Sequence, residues 1–202
     1  MVDLRIKVDV KAAVSQIKDI AREQLPFVTA LALTRTAQKA QRAIREALPQ
    51  RFIIRRKAWV LGGVRIEAAL KGGRTAAVKH IDAYMNLQEF GGTRFAFGKH
   101  LAIPLAGARP SPRSVIRAAN KPKALMESGR GALVRFSQNG PDFIVMRKGR
   151  GKHFTLMYML IPRAQIPARY RFAETVQNIA RTAFESTFAE AWEETQRRWA
   201  PH

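Results

Sequence analysis

Acids are scarce in this chain and cysteine is missing. Its 202 residues hold 15 Asp and Glu against 36 Lys and Arg, with no Cys. Without cysteine there is no disulfide and no thiolate metal site. Thin carboxylate supply also argues against a metal-dependent nuclease, which clusters acids around its cations. Asp82 and Glu89 are the only acids between Glu67 and Glu127. Reading Tyr84 to Phe90 as a strand puts these two on opposite faces. His80, His100, His153 and His202 lack partners at metal-ligand spacing, so each reads as a surface or sheet residue.

Long apolar runs are missing too. The greasiest stretch, FTLMYMLIP, falls far short of the roughly 20 residues that span a bilayer. The opening MVDLRIKVDV has no apolar h-region. A protein made in the cytoplasm, with no membrane partner, is the expectation. GGVR, GGRT and GGTR lack the lysine-serine and helix context of a phosphate loop, and KGRGK lies between two strands, so all read as turns. No serine sits in a nucleophile elbow. The expectation is therefore no enzyme, no cofactor and no bound metal.

What is present is positive charge, a net +21. Self-repulsion of that size works against a compact monomer, so a polyanion or an acidic neighbour is expected to offset it. From Arg171 to His202 four arginines meet five glutamates, so the body of the chain carries the whole excess. Three clusters stand out: Arg55, Arg56 and Lys57; Arg109, Arg113, Arg117, Lys121 and Lys123; and Arg147, Lys148, Arg150 and Lys152. Four unpaired cations cannot be buried, so the last set reads as a hairpin tip held in water. No base-reading motif accompanies the clusters. Their contacts would go to phosphates, without sequence preference and with strong salt dependence.

Hydrophobic periodicity gives the architecture. Leu4, Ile6, Val8 and Val10 alternate with polar residues as a short edge strand. Val14, Ile17 and Ile20 suggest a first helix that stops near Pro26. Phe27 to Leu48 is a second, alanine-rich helix ended by Pro49. A basic segment, RFIIRRKAWV, leads to Gly62-Gly63. Val64 to Leu70 and Ala76 to Ile81 read as a hairpin around Gly72-Gly73. Leu101 to Leu105 reads as a strand that Pro104 confines to an edge. Ala106 to Lys123 reads as a loop or extended arm ordered by a partner. Leu133 to Phe136, Phe143 to Met146 and Phe154 to Ile161 are strands, with a turn at Asn139-Gly140. Pro162 and Pro167 flank a connector. Arg169 to Trp199 is a long helix striped by Phe172, Val176, Ile179, Ala183, Phe184, Phe188, Trp192 and Trp199.

The expected fold class is α+β: an antiparallel sheet packed against N-terminal helices and a long C-terminal helix, with an extended basic arm. All 202 residues are expected to form a single domain. Its segments are 1–50 (strand and helices), 51–105 (basic segment and first strands), 106–130 (arm), 131–168 (basic hairpin) and 169–200 (last helix).

The order of these segments resembles a known family. TALALTRTAQKAQRAI, Thr29 to Ile44, is similar to the alanine-rich helix of phage minor tail proteins of the protein Z, or tail completion, family. RFIIRRKAWV, VRIEAAL and VMRKGRGKHFTLMYMLIP look like the basic segment, strand and basic hairpin that follow it there. FESTFAEAW resembles the terminal helix of related prophage proteins, and LQEFGG resembles a turn of phage neck and tail-joining proteins. The segment from Ala106 to Lys123 has no counterpart.

The resemblance implies a structural virion protein of a tailed phage. It would form a homo-oligomeric ring, commonly six-fold, at the head-tail junction around the DNA passage, with other neck and tail proteins as partners. Arg147, Lys148, Arg150 and Lys152, helped by Arg55, Arg56 and Lys57, would then face genomic DNA or an acidic partner. Arg109, Arg113, Arg117, Lys121 and Lys123 would reach neighbouring subunits. Alternatives remain open: a sequence-nonspecific nucleic-acid-binding protein, a packaging nuclease, or a tail terminator or connector of the same junction.

Overall fold

The computed structural model describes residues 2–7, 19–147 and 153–199. The fold class is α+β, with antiparallel sheets and two long helices. Where the sequence suggests one domain, the backbone falls into two compact units. Unit 1 comprises Met1–Phe52, Arg56–Phe90 and Ala168–His202. Unit 2 comprises Ile53–Arg55 and Gly91–Pro167. Unit 2 is thus mainly one continuous insertion into unit 1.

In unit 1, helix α1 (Asp19–Arg51) is a single 33-residue helix, not two. Pro26 lies inside it, and Pro49 lies in its last turn instead of ending it. An interior proline costs about 3 kcal/mol through a lost N–H and a ring clash. Burial outweighs that here: Val28, Ala32, Leu33, Ala37, Ala40, Ile44 and Leu48 are all fully buried at helical spacing, each large aliphatic contributing about 1.5–3 kcal/mol. The alanines let α1 lie close to helix α5 (Phe172–Trp199), its main packing partner. Along that seam Lys39 Nζ donates to Thr187 Oγ1 at 2.9 Å, and Arg35 pairs with Glu194. Phe184, Phe188 and Trp192 pack half-buried around Val28, Ala32 and Ala191, while Phe172 is fully buried.

Three antiparallel strands form the sheet of unit 1, in the order β1–β3–β2: β1 (Val2–Lys7), β2 (Val64–Glu67) and β3 (Thr75–His80). β1 covers the start of the expected edge strand; Val8 and Val10, and the Val14–Ile17 part of the expected first helix, lie outside the described residues. The hairpin around Gly72-Gly73 is present, with Gly72 at φ +76° and the Gly73 N–H donating to Leu70 O. Helix α2 (Lys57–Gly62) begins inside the expected basic segment. Tyr84–Phe90 is helix α3, not a strand, so the parity argument for Asp82 and Glu89 fails. Gly91, at φ +70°, follows the end of α3 where a left-handed residue is required.

Unit 2 holds a four-stranded antiparallel sheet, order β5–β8–β7–β6, and a two-stranded ribbon, β4–β9. The strands are β4 (Gly92–Phe95), β5 (Leu101–Pro104), β6 (Gly131–Arg135), β7 (Asp142–Arg147), β8 (Phe154–Ile161) and β9 (Arg163–Ile166). Pro104 does sit on an edge strand. The expected connector between Pro162 and Pro167 is β9, paired with β4 from Gly92↔Ile166 to Phe95↔Arg163.

The expected extended arm is folded. Its residues form a turn, a short 3-10 segment at Ala118–Asn120 and helix α4 (Pro122–Glu127). Ala108 and Leu125 from this segment pack with Ile144, Met157 and Tyr158 as the core of unit 2. Tyr158 Oη donates to Asn120 O at 2.6 Å and fastens it further. Sequence statistics miss this because apolar residues spaced among Gly, Pro and Ser carry no periodic signature.

Candidate polyanion-binding surface

Unit 2 concentrates the charge. Its segments contain fifteen Lys and Arg and only two acids, Glu127 and Asp142. Both acids are already engaged: Glu127 with Lys123 at 3.7 Å, and Asp142 with Arg135 at 2.6 Å. The Arg135 hydrogen bond holds the Asp142 carboxyl below its usual range. Unit 1 is closer to balance, with 21 basic residues against 13 acidic. The field of the molecule therefore rises over unit 2, where little offsets it locally.

The three sequence clusters fare differently. Arg147 ends β7, is exposed, and stands opposite Phe154 in the ladder with β8. Lys148, Arg150 and Lys152 lie outside the described residues. Arg55, Arg56 and Lys57 are all exposed, and the boundary between the units falls within them. Arg55 belongs to unit 2, whereas in unit 1 Arg56 precedes α2 without a side-chain capping bond and Lys57 opens it. Arg109, Arg113, Arg117, Lys121 and Lys123 all belong to unit 2. Of these only Arg109 is half-buried, and the rest are exposed.

Within unit 2, Arg55 is exposed and lies near enough to the Arg109 charge to feel it. Arg55 Nε donates to Pro112 O at 2.9 Å, which ties it to the Ser111–Ser114 turn. Burial and then the nearby Arg109 charge push the Arg55 pKa down.

Other cations of unit 2 carried no cluster signal: Arg94, Lys99, Arg130, Arg135 and Arg163 stand singly in sequence. All are exposed, and so are the rings of Phe95, Phe97, Phe136 and Phe154 of the same unit. The signal that would have found them is the near absence of acids from Gly91 to Pro167.

Of the histidines, His80 proves to be a sheet residue of unit 1 that is fully buried. Its Nδ1 lies 2.6 Å from Tyr170 Oη and its Nε2 lies 3.1 Å from Asp82 Oδ2. The carboxylate can only accept, so Nε2–H donates to Asp82 and Nδ1 accepts the Tyr170 hydroxyl proton. That neutral tautomer agrees with burial, which pushes the His80 pKa down. Burial also pushes the Tyr84 phenol up to about 12, with Asp82 adding to it. The arrangement gives both ring nitrogens of the buried imidazole a partner.

Among the described residues, no three His, Asp or Glu side chains converge as a metal set, and no helix is long and apolar enough to cross a membrane. Comparison with protein-family models, curated proteins and solved structures returns no match.

Proposed function

We propose that this chain is a non-enzymatic structural protein that engages a polyanion through unit 2. The most specific form of the proposal is a tail completion or neck component of a tailed phage, ringed around the DNA passage at the head-tail junction. One observation carries the polyanion reading: the fifteen cations of unit 2 against two acids that are both already paired. The phage assignment draws on the order of the resembling segments, from the Thr29–Ile44 helix to the Phe184–Trp192 motif.

A channel-lining ring needs a positive surface that ignores sequence, and repetition around an axis multiplies each cation. Arg147, Lys148, Arg150 and Lys152 would face the passage or an acidic neighbour, with Arg55 of the same unit as support. The exposed cations Arg113, Arg117, Lys121 and Lys123 would meet neighbouring subunits from a folded segment, not from a wrapping arm. Large exposed apolar residues of unit 2, Phe95, Phe97 and Leu133 among them, suit contacts between copies.

The test is assembly. Neutralising the four hairpin cations should preserve the fold and depress the yield of infectious, genome-filled particles. Normal yields would refute the channel role. Mass measurement of the purified chain in dilute and concentrated salt tests for the ring.

A further inference from the structure

Single exposed rings are ordinary on a protein surface. Two that stack on each other there, on elements pinned from below, are not. Trp59 lies in α2 and Tyr84 opens α3, both in unit 1. Their ring centroids are 6.0 Å apart and their planes 17° from parallel. Even so, Trp59 remains 59% exposed and Tyr84 42%. One face of the indole is turned to the tyrosine, and much of the rest to water.

The pair is held in place. No residue of α2 is buried, and six residues are too few for a helix to persist alone. Bonds from α1 hold it: Arg45 donates to Leu61 O at 3.0 Å and to Val64 O at 2.9 Å, and Gln41 Nε2 donates to Val64 O at 2.7 Å. At the start of α3, Met85 is buried and its N–H donates to Asp82 O at 3.0 Å. An indole that fills no core is thus kept on a fixed support.

Its surroundings are cationic. Arg56 occupies the N-cap position of α2 and Trp59 the third helical position, a spacing that brings two side chains together. Lys57 opens α2, and Arg65 follows in β2. All three cations are exposed, and none has an ion pair among the described residues. Asp82, which the Tyr84 hydroxyl reaches at 3.5 Å, is engaged by His80, and Glu67 of β2 by Lys79. A cation is a common guest of aromatic faces, but these charges repel it. A planar apolar body carrying negative charge fits, and an unpaired nucleotide has both. A duplex keeps its base faces stacked inside and offers phosphates alone.

We propose that Trp59, backed by Tyr84, is a stacking platform for an unpaired base of single-stranded nucleic acid, with Arg56 and Lys57 meeting the adjoining phosphates. The site lies in unit 1 and does not rest on the polyanion reading of unit 2.

The experiment titrates the full chain with a labelled oligodeoxythymidylate, an abasic strand of equal length and a random duplex, read by anisotropy and by tryptophan emission. Thymidylate should quench the emission, the abasic strand should not, and W59F should abolish the quenching. W59A should weaken thymidylate binding by at least about fivefold, the lower end for one base–aromatic stack, and leave abasic and duplex binding unchanged. W59F keeps a ring and should lose less; it serves if W59A does not fold. R56Q/K57Q should weaken thymidylate and the abasic strand together.

Equal loss on thymidylate and the abasic strand in W59A, quenching that persists in W59F, or unchanged thymidylate affinity in both variants would each overturn the platform. A changed oligomeric mass in W59A with thymidylate affinity intact would also overturn it, and would assign the rings to a contact between copies. Duplex binding with no base-dependent component on single strands leaves the polyanion reading standing and the platform refuted. Thymidylate binding that needs Trp59, without any duplex binding, does the reverse.

Discussion

The Glu89 carboxylate, at the end of α3, caps the helix that begins at Phe172. Its two oxygens accept the backbone N–H groups of Phe172 and Ala173 at 2.7 and 3.0 Å. These are orphan donors of the first turn, and the carboxylate also meets the positive end of the helix dipole. The residue before them, Arg171, has φ +52°, so the chain turns sharply into α5 with no side-chain cap of its own. Arg169 N and Tyr170 N both donate to Gln88 O, at 2.8 and 2.9 Å. The departure point of the insertion and its return point are therefore fastened to each other inside unit 1.

Removing that cap should be costly. E89A is expected to lower stability by about 1–2 kcal/mol, the usual worth of a helix cap. E89Q keeps one acceptor but loses the charge, so it should lose less. Urea unfolding, with the midpoint falling and the slope unchanged, is the measurement. Equal stability of E89A and wild type would mean that water replaces the cap without loss.

The His80 network gives a pH prediction with a definite sign. The folded pKa is depressed by burial, so the unfolded chain takes up a proton more readily than the folded one. Its contribution to stability is complete above the unfolded value, about 6.5, and is lost as pH falls toward the folded value. Wild-type unfolding free energy should therefore decline as pH drops below about 6.5. In H80N that part of the slope should disappear, whatever the absolute stability of the variant. Y170F removes the hydroxyl that Nδ1 accepts from, and should cost about 1–3 kcal/mol for the buried acceptor left unsatisfied.

Gly62 and Gly63 are adjacent but should respond oppositely to alanine. A Cβ on Gly63 would lie 2.6 Å from His80 Nε2 and 2.8 Å from Asp82 Oδ2, while nothing lies within 4 Å of one on Gly62. His80 is held from both sides and cannot easily move aside. G63A should then destabilise by about 1–3 kcal/mol, as over-packing does. G62A, at the end of α2, should be neutral or stabilise by up to about 1 kcal/mol. Thermal melts of the two variants decide it; a G63A melting point at or above wild type would show that the His80 site can relax.

Much of this was legible where periodicity is strong. The β6–β7–β8 strands, the Val64–His80 hairpin and α5 announce themselves through alternation or a three-to-four spacing. The errors have particular causes. At Pro26 a strong local breaker lost to a buried stripe that continues through Leu48. Tyr84–Phe90 is seven residues long, too short for strand and helix periods to be told apart. β9, four residues between prolines, owes its conformation to pairing with β4, which lies about seventy positions earlier. The candidate site was half legible: the charge clusters were plain, but the bond from Arg55 to Pro112 O depends on a tertiary turn that no local pattern encodes.

The last prediction concerns where the charge acts. Each phosphate neutralised on duplex DNA contributes about 0.9 to the slope of log affinity against log salt. Replacing Arg147, Lys148, Arg150 and Lys152 with glutamine should lower that slope by up to about 3.6 if all four touch phosphates. Removing Arg181, Arg197 and Arg198 from α5, where neighbouring glutamates already balance them, should leave the slope nearly unchanged. D142N should act the other way: it releases Arg135 from its ion pair and should raise duplex affinity at low salt. Fluorescence anisotropy with a random duplex across a salt series reads all three variants. Equal slopes for the hairpin and α5 variants would mean that the chain responds to net charge alone, and the assignment of the polyanion to unit 2 would fall.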